Sequence, residues 1–422
     1  MEGARVRVLI TNTAALNTGD AAILFATLDI LREAFGARLD VIVYDQQAAA
    51  AARYYPELTF RPVLFDQLAK WTGNRRLKGG AFLLLAAAIL WRLSLRSVGA
   101  RFLSPSLQAS LAEFAAADLI VSAGGTYLVP YYRIFPKVLD LLVAVVLGRP
   151  FVLFTQSLGP FPQRRQRLLR FVLRRARIIL TRDARSRRHL LDAGVSPGRI
   201  AECADAAFAL ATPPAIQETT PAPSHRPLRV AVSVRNWPHL RNRAAAGMGR
   251  YLSAVAIMIR WLVEQHGAQV TFLSTCQGVS EYWTDDSRTA DAVVARLPVT
   301  LRQHVRVDRG FHAPRELMVL LGRFDLVVAT RLHVAILALC AGVPVLPIAY
   351  EFKTNELFTR LGLGELVQDM ESVTGEDLCR AVDWLLAARA DIRAALPHWV
   401  ARERRSALAA GSHVRSALET AS

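Results

Sequence analysis

The stretch that most constrains the fold is residues 324–353, FDLVVATRLHVAILALCAGVPVLPIAYEFK. Residues 325–329 form a short Val-rich apolar run that breaks at Thr330-Arg331. An apolar helical segment over 332–341 stops at Gly342, and a second apolar run, 343–348, follows with Pro344 near its start. A buried parallel strand, a crossover helix and a second parallel strand account for all of these features at once. Gly342 stands where a helix C-terminal glycine belongs.

The charged residues of this unit sit at its junctions. Arg331 and His333 fall where the first strand hands over to its helix, and Lys353 lies just past the second strand. Ligands of open α/β sheets bind outside the carboxyl ends of strands, and helix N-termini favour anions. Two cations and an imidazole there describe a pocket for a small, highly charged anion. The competing reading is a surface arginine, a helix-capping histidine and a solvated lysine.

Bulk composition narrows the partners. A chain of 422 residues with 52% hydrophobic content has material for two to three domains. Cys203, Cys276, Cys340 and Cys379 are scattered without a C-x-x-C pair, which argues against a zinc site or a disulfide framework. The net charge of +17 invites a nucleic-acid reading. However, only four of the 52 basic residues are lysine, so 52 − 4 leaves 48 arginines spread along the chain, with no basic run interleaved with aromatics. No nucleic-acid partner is expected; an acidic substrate or an anionic membrane surface suits the charge better.

The N-terminal sequence MEGARVRVLI runs straight into a strand-like segment with no signal-peptide core, so a cytoplasmic location is expected. The longest apolar run, residues 81–91, is about half the ~20 residues needed to span a bilayer. Lys70, Arg75, Arg76 and Lys78 precede it, and Arg92, Arg96 and Arg101 follow. Either an interfacial helix on the inner face of the membrane or a buried helix with solvated flanks fits this pattern.

Along the chain, residues 6–10 read as a buried strand, and the polar loop TNTAALNTGD leads into a helix from Ala21 with Asp20 as its N-cap. Asn17 and Gly19 permit a tight backbone there. Further strands at 39–44, 118–122, 151–155 and 177–180 end in polar or glycine loops carrying Gly124-Gly125, Gln156 and Arg182, and a glycine pair at a strand's end lets a ligand approach the backbone closely. Such alternation is a doubly wound parallel sheet. The proline-rich residues 212–227 mark a linker. Strands at 228–234, ending in Arg235, and at 269–274 then restart the alternation. The expected organisation is an N-terminal Rossmann-like domain (1–211), the linker, a second Rossmann-like domain (228–375) and a helical tail (376–422). Two such parallel-sheet domains facing a cleft would be a GT-B-like α/β fold.

The motifs Asn17-x-Gly19-Asp20, Gly124-Gly125, Gln156-Ser157-Leu158-Gly159-Pro160, Arg182-Asp183-x-x-Ser186, Asp205-x-x-Phe208, Arg331-Leu332-His333 and Lys353 occur in that order. Together they make the chain resemble the polysaccharide pyruvyl transferase family, over residues 17 to 353. The resemblance does not reach residues 75–101 or the chain beyond about Leu363, and Ala21 stands where many relatives have an acidic or polar residue.

The resemblance implies phosphoenolpyruvate as donor and co-substrate, with no bound cofactor and no metal. It further implies a sugar acceptor, often lipid-linked, and donor binding by Arg182, His333 and Lys353 with Arg331 beside them. The donor carries a phosphate and a carboxylate, which suit planar guanidinium groups and a point-charged ammonium. Ketal formation needs a proton at the methylene carbon, a role assigned to His333, whose side-chain type ordinarily titrates nearest neutrality. Asp20 and Asp205 are the candidate bases, with an N-cap and a loop-bonding role as their structural alternatives. Asp183 is expected to cap the following helix or orient Arg182. Two other functions compete: a glycosyltransferase with a nucleotide-sugar donor, for which Glu351 or Glu356 would recognise the nucleotide, and a non-catalytic scaffold of a polymer-assembly complex. The sequence leaves the oligomeric state open.

Overall fold

A computed structural model of the chain describes residues 5–73, 76–130, 132–161, 167–212, 226–240 and 244–419. It divides into two compact units. The first comprises Met1–Leu16, Ile23–Ala206 and Ser406–Ser422, and the second Asn17–Ala22 and Ala207–Arg405. Two short stretches, Asn17–Ala22 and Ser406–Ser422, are therefore grouped out of sequence order, which the domain limits drawn from the sequence do not anticipate. Most of the proline-rich stretch and Arg75 lie outside the described residues.

The first unit is built on a seven-stranded parallel sheet. Its strands are β1 (Val6–Thr13), β2 (Leu39–Asp45), β3 (Phe60–Pro62), β4 (Leu119–Ser122), β5 (Phe151–Gln156), β6 (Ile178–Thr181) and β7 (Ile200–Glu202). They lie in the order β3-β2-β1-β4-β5-β6-β7. The central strands are apolar without alternation because crossover helices cover both sheet faces.

The second unit repeats the plan with β8 (Arg229–Ser233), β9 (Gln269–Phe272), β10 (Val305–Val307), β11 (Leu326–Ala329), β12 (Val345–Ala349) and β13 (Gln368–Asp369). Their order is β10-β9-β8-β11-β12-β13, again all parallel. The β11–helix–β12 unit is the βαβ stretch of residues 324–353 expected from the sequence. Its helix, Leu332–Cys340, closes with Gly342 at φ +74°, where a Cβ would be strained, and the Val343 N–H returns to the Ala338 carbonyl at 2.9 Å.

Strand order reverses direction between β1 and β4 in the first sheet and between β8 and β11 in the second. The helices that follow the two strands of such a pair lie on opposite faces, which opens a crevice at the strands' carboxyl ends. These two switch points position everything below.

Candidate active site

At the second switch point two arginines stand in register. Ser233 at the end of β8 pairs with Ala329 at the end of β11. Two residues beyond each lie Arg235 and Arg331. Arg331 is the N-cap residue of the Leu332–Cys340 helix and is buried, its Nε and Nη2 bonded to the two carboxylate oxygens of Asp286 at 2.8 and 2.7 Å. Burial alone would lower the Arg331 pKa, but Asp286 holds it well above its ordinary value. This two-point pair fixes the plane of the guanidinium. Arg331 is thus anchored from within.

Arg235 is half-buried and stacks on two rings, 4.6 Å from the centre of Trp237 and 4.5 Å from that of Tyr350, whose hydroxyl accepts from its Nη1. Lys353, on the helix Phe352–Arg360 after β12, lies 5.3 Å from the same Tyr350 ring and pairs with Glu351 at 2.7 Å. Tyr350 therefore touches both cations. The nucleotide-recognising role considered for Glu351 meets a side chain already bonded to Lys353.

The loop carrying Asn17, Gly19 and Asp20 belongs to this same unit. It is pinned by the Thr18 amide on the Thr275 carbonyl and by the Thr18 hydroxyl on the His312 carbonyl, both at 2.9 Å. The helix starts at Thr18, not Ala21. Asn17 precedes it and accepts from the Gly19 amide at 2.9 Å, while its Nδ2 donates to Asp20 at 2.9 Å. The expected N-cap role of Asp20 thus passes to Asn17, whose short amide reaches the free N–H two residues on.

Gly19 explains the motif. A Cβ there would lie 2.7 Å from His333 Nδ1 and 3.0 Å from His333 Cβ. The imidazole occupies the space a side chain would need, so Asn17-x-Gly19-Asp20 and Arg331-Leu332-His333 meet although they stand at opposite ends of the chain. Arg331, Asp286, Arg235 and Asp20 all act on the thiol of Cys276, whose pKa burial raises to about 12. Tyr282, pushed well up by burial, bonds Asn17 and also feels Asp20 and Arg331.

The residues expected in the first unit form one buried network at the ends of β5 and β6. Arg182 donates from Nε to Ser157 at 2.8 Å, from Nη2 to Thr126 at 2.6 Å and from Nη1 to Asp205. Both members of the Arg182–Asp205 pair are at most 6% exposed. A carboxylate held this way is a poor base, and the guanidinium has all three nitrogens engaged, so the geometry assigns the pair to shaping the loops. Asp183 caps the Ala184–Asp192 helix through the Ser186 amide and accepts from Ser157, next to Arg182.

Gln156 is fully buried and donates to Tyr127 at 2.7 Å. The space beside Gly124, expected to admit a ligand, is taken by the protein itself: a Cβ would meet Thr155 Oγ1 at 2.7 Å and the Phe154 carbonyl at 3.0 Å. Gly125 bridges to Gln156, and its carbonyl accepts the Ser157 amide at 2.9 Å.

In the sequence Arg235 stands out only as a strand end, and Trp237, Tyr350 and Asp286 carry no signal. The signal for Arg235 was its spacing, the same short distance past a β-strand as Arg331. Among the described residues no group of His, Cys, Asp and Glu is arranged to hold a metal ion.

Two parallel-sheet α/β units, each with a strand-order reversal, make a GT-B-like fold. Solved structures agree on the fold. HepE of Anabaena, crystallised with UDP and glucose, aligns with TM-score 0.58 and 14% identity over 99% of this chain and 100% of its own. The UDP-GlcNAc 2-epimerase of Methanocaldococcus jannaschii gives 0.51 and 11% over 90% and 92%. The model of the polysaccharide pyruvyl transferase family matches residues 17–351, and the chain belongs to that family. It is 27% identical over 299 residues to the amylovoran biosynthesis protein AmsJ of Erwinia amylovora, covering 68% of this chain and 70% of that protein.

Proposed function

We propose that the protein transfers the pyruvyl group of phosphoenolpyruvate onto two hydroxyls of one sugar in a bacterial surface polysaccharide or its lipid-linked precursor, releasing phosphate and leaving a pyruvate ketal. The observation that carries this reading is the register-matched pair Arg235 and Arg331 at the β8/β11 switch point, with Lys353 beside the same Tyr350 ring as Arg235. Family membership supplies the reaction class.

Arg235 and Lys353, both partly buried, take the donor's phosphate and carboxylate, and Arg331 holds the floor of the site through Asp286. His333 gives a proton to the methylene carbon as the first sugar hydroxyl bonds to the neighbouring carbon. The carbon–oxygen bond to phosphate then breaks, and the second hydroxyl closes the ketal. One hydroxyl proton replaces the one His333 gave up, and the other leaves with phosphate. Asp20, half-buried beside Gly19, is the base for a hydroxyl. Proton transfer of this kind contributes ~10²–10⁴-fold, and cations on the leaving phosphate stabilise its charge.

The test is phosphate release from phosphoenolpyruvate with a panel of lipid-linked and nitrophenyl sugars. Saturable turnover, lost in His333→Ala with donor binding retained, is the expected result. Saturable binding of a nucleotide-sugar with none of phosphoenolpyruvate would transfer the site to a glycosyltransferase. Unchanged polymer pyruvylation in cells carrying His333→Ala would leave only a scaffold.

A further inference from the structure

The helix Leu77–Arg92 buries one face and leaves the other apolar. Gly80, Leu84 and Ala87 pack inward, while Phe82, Ile89 and Leu93 succeed one another on the opposite side at 72, 50 and 62% exposure. A helix hydrophobic all round is ordinarily buried all round. The chain then turns back through the short helix Arg96–Ala100, where Gly99 comes so close that a Cβ would sit 3.1 Å from the Ala87 carbonyl oxygen. Leu95, Val98 and Phe102, 44–58% exposed, extend the same kind of surface.

The charge around this hairpin has one sign. Lys70, Arg76, Lys78, Arg92, Arg96 and Arg101 are all exposed. Between Asp66 and Glu113 the sequence contains no acidic residue at all. Among the described residues no helix is long and apolar enough to cross a membrane.

We propose that this hairpin docks the first unit on an anionic bilayer surface, its phenylalanine and leucine side chains entering at headgroup depth and its basic residues meeting lipid phosphates. Exposed apolar side chains ringed by cations are the two halves of interfacial binding. A second copy of the chain is the poorer occupant, because a two-fold pairing of this surface would set its own cations against one another. The inference rests on the first unit's surface and is independent of the chemistry proposed for the second.

The full chain is sedimented with vesicles of phosphatidylcholine alone and of phosphatidylcholine mixed with phosphatidylglycerol. Binding is expected to the mixed vesicles only, and to be lost at ~1 M salt, where the screening length is about 3 Å. Phe82→Ser/Phe102→Ser and Arg96→Glu/Arg101→Glu should each weaken it roughly tenfold or more, at unchanged Tm, since these side chains are exposed. Equal binding to both vesicle types, or wild-type binding by both variants, would overturn the proposal. So would a wild-type dimer in sedimentation velocity that Phe82→Ser/Phe102→Ser converts to monomer, with neither form binding vesicles.

Discussion

Two residues carry consequences out of proportion to their size. Gly19 lies in the first turn of a helix, so alanine there is favoured by helix propensity by about 1 kcal/mol. Its Cβ would nevertheless overlap His333, which lies within 3.0 Å at three atoms. Gly19→Ala is therefore expected to fold and bind phosphoenolpyruvate but to lose kcat by ~10²-fold, because His333, displaced, would no longer reach the carbon it is proposed to protonate. A lowered Tm with intact kcat would mean that His333 is only packing material. Asp140 is a different case: a fully buried carboxyl that accepts from the Thr11 hydroxyl and whose pKa burial raises to about 6. Because the folded value lies above the unfolded value of 3.8, Asp140 adds stability below pH ~4 that is lost as pH rises through about 6. The difference amounts to about 3 kcal/mol. Asp140→Asn keeps the acceptor for Thr11 and removes the charge. Its Tm should gain on the wild type between pH 4 and pH 7, and parallel Tm curves for the two proteins would refute the assignment.

At the scale of elements, the central strands were legible because a strand buried on both faces is a continuous apolar run, as LIVS and FVLFTQ show. The edge strands β10 and β13 were not, being two or three residues long and partly exposed. The same one-dimensional view recognised Arg331 but gave Arg235 no role, since only the register of β8 on β11 reveals that they are equivalent. Equivalent positions still have different duties, and substitution should separate them. Arg331→Met leaves Asp286 buried without its partner, a change that costs about 3–5 kcal/mol when one member of an internal ion pair is removed. Arg235→Met loses a stacked, half-exposed cation worth about 1 kcal/mol. Denaturant unfolding should therefore report Arg331→Met, whereas Arg235→Met should appear as a raised KM for phosphoenolpyruvate, roughly tenfold or more, with stability nearly intact. Similar unfolding midpoints for the two variants would show that the Asp286 pair is not what holds the floor of the site.

On the scale of the whole molecule, the sequence could assign strands and helices to two halves but not foresee that the chain exchanges segments between them. The first turn of the Thr18–Phe35 helix is grouped with the second unit and the last residues of the Arg389–Glu419 helix with the first. Nothing in an arginine-rich, alanine-rich C-terminal stretch distinguishes a solvated tail from a packed helix until its neighbours are known. Those neighbours are specific. Ala407, Ala410 and Val414 are fully buried. Gly411 sits so close to Ile30 that a Cβ would lie 3.1 Å from its carbonyl, and the Ser406 hydroxyl accepts the Ala204 amide at 3.0 Å. The helix end is thus part of the first unit's core, although the matched family region stops at residue 351. Removing residues 406–422 exposes the surface these side chains cover. Burial of a single valine is worth about 1.5–3 kcal/mol, so the truncated protein should lose at least ~2 kcal/mol and melt several degrees lower. Arg235, Arg331 and Lys353, the groups proposed to hold the donor, lie in the second unit, which keeps all its own residues in that truncation. Titration calorimetry with phosphoenolpyruvate should therefore still register binding below the new Tm. An unchanged Tm would make the helix end an appendage. Loss of donor binding at a temperature where the truncated protein remains folded would mean that the site depends on the first unit after all.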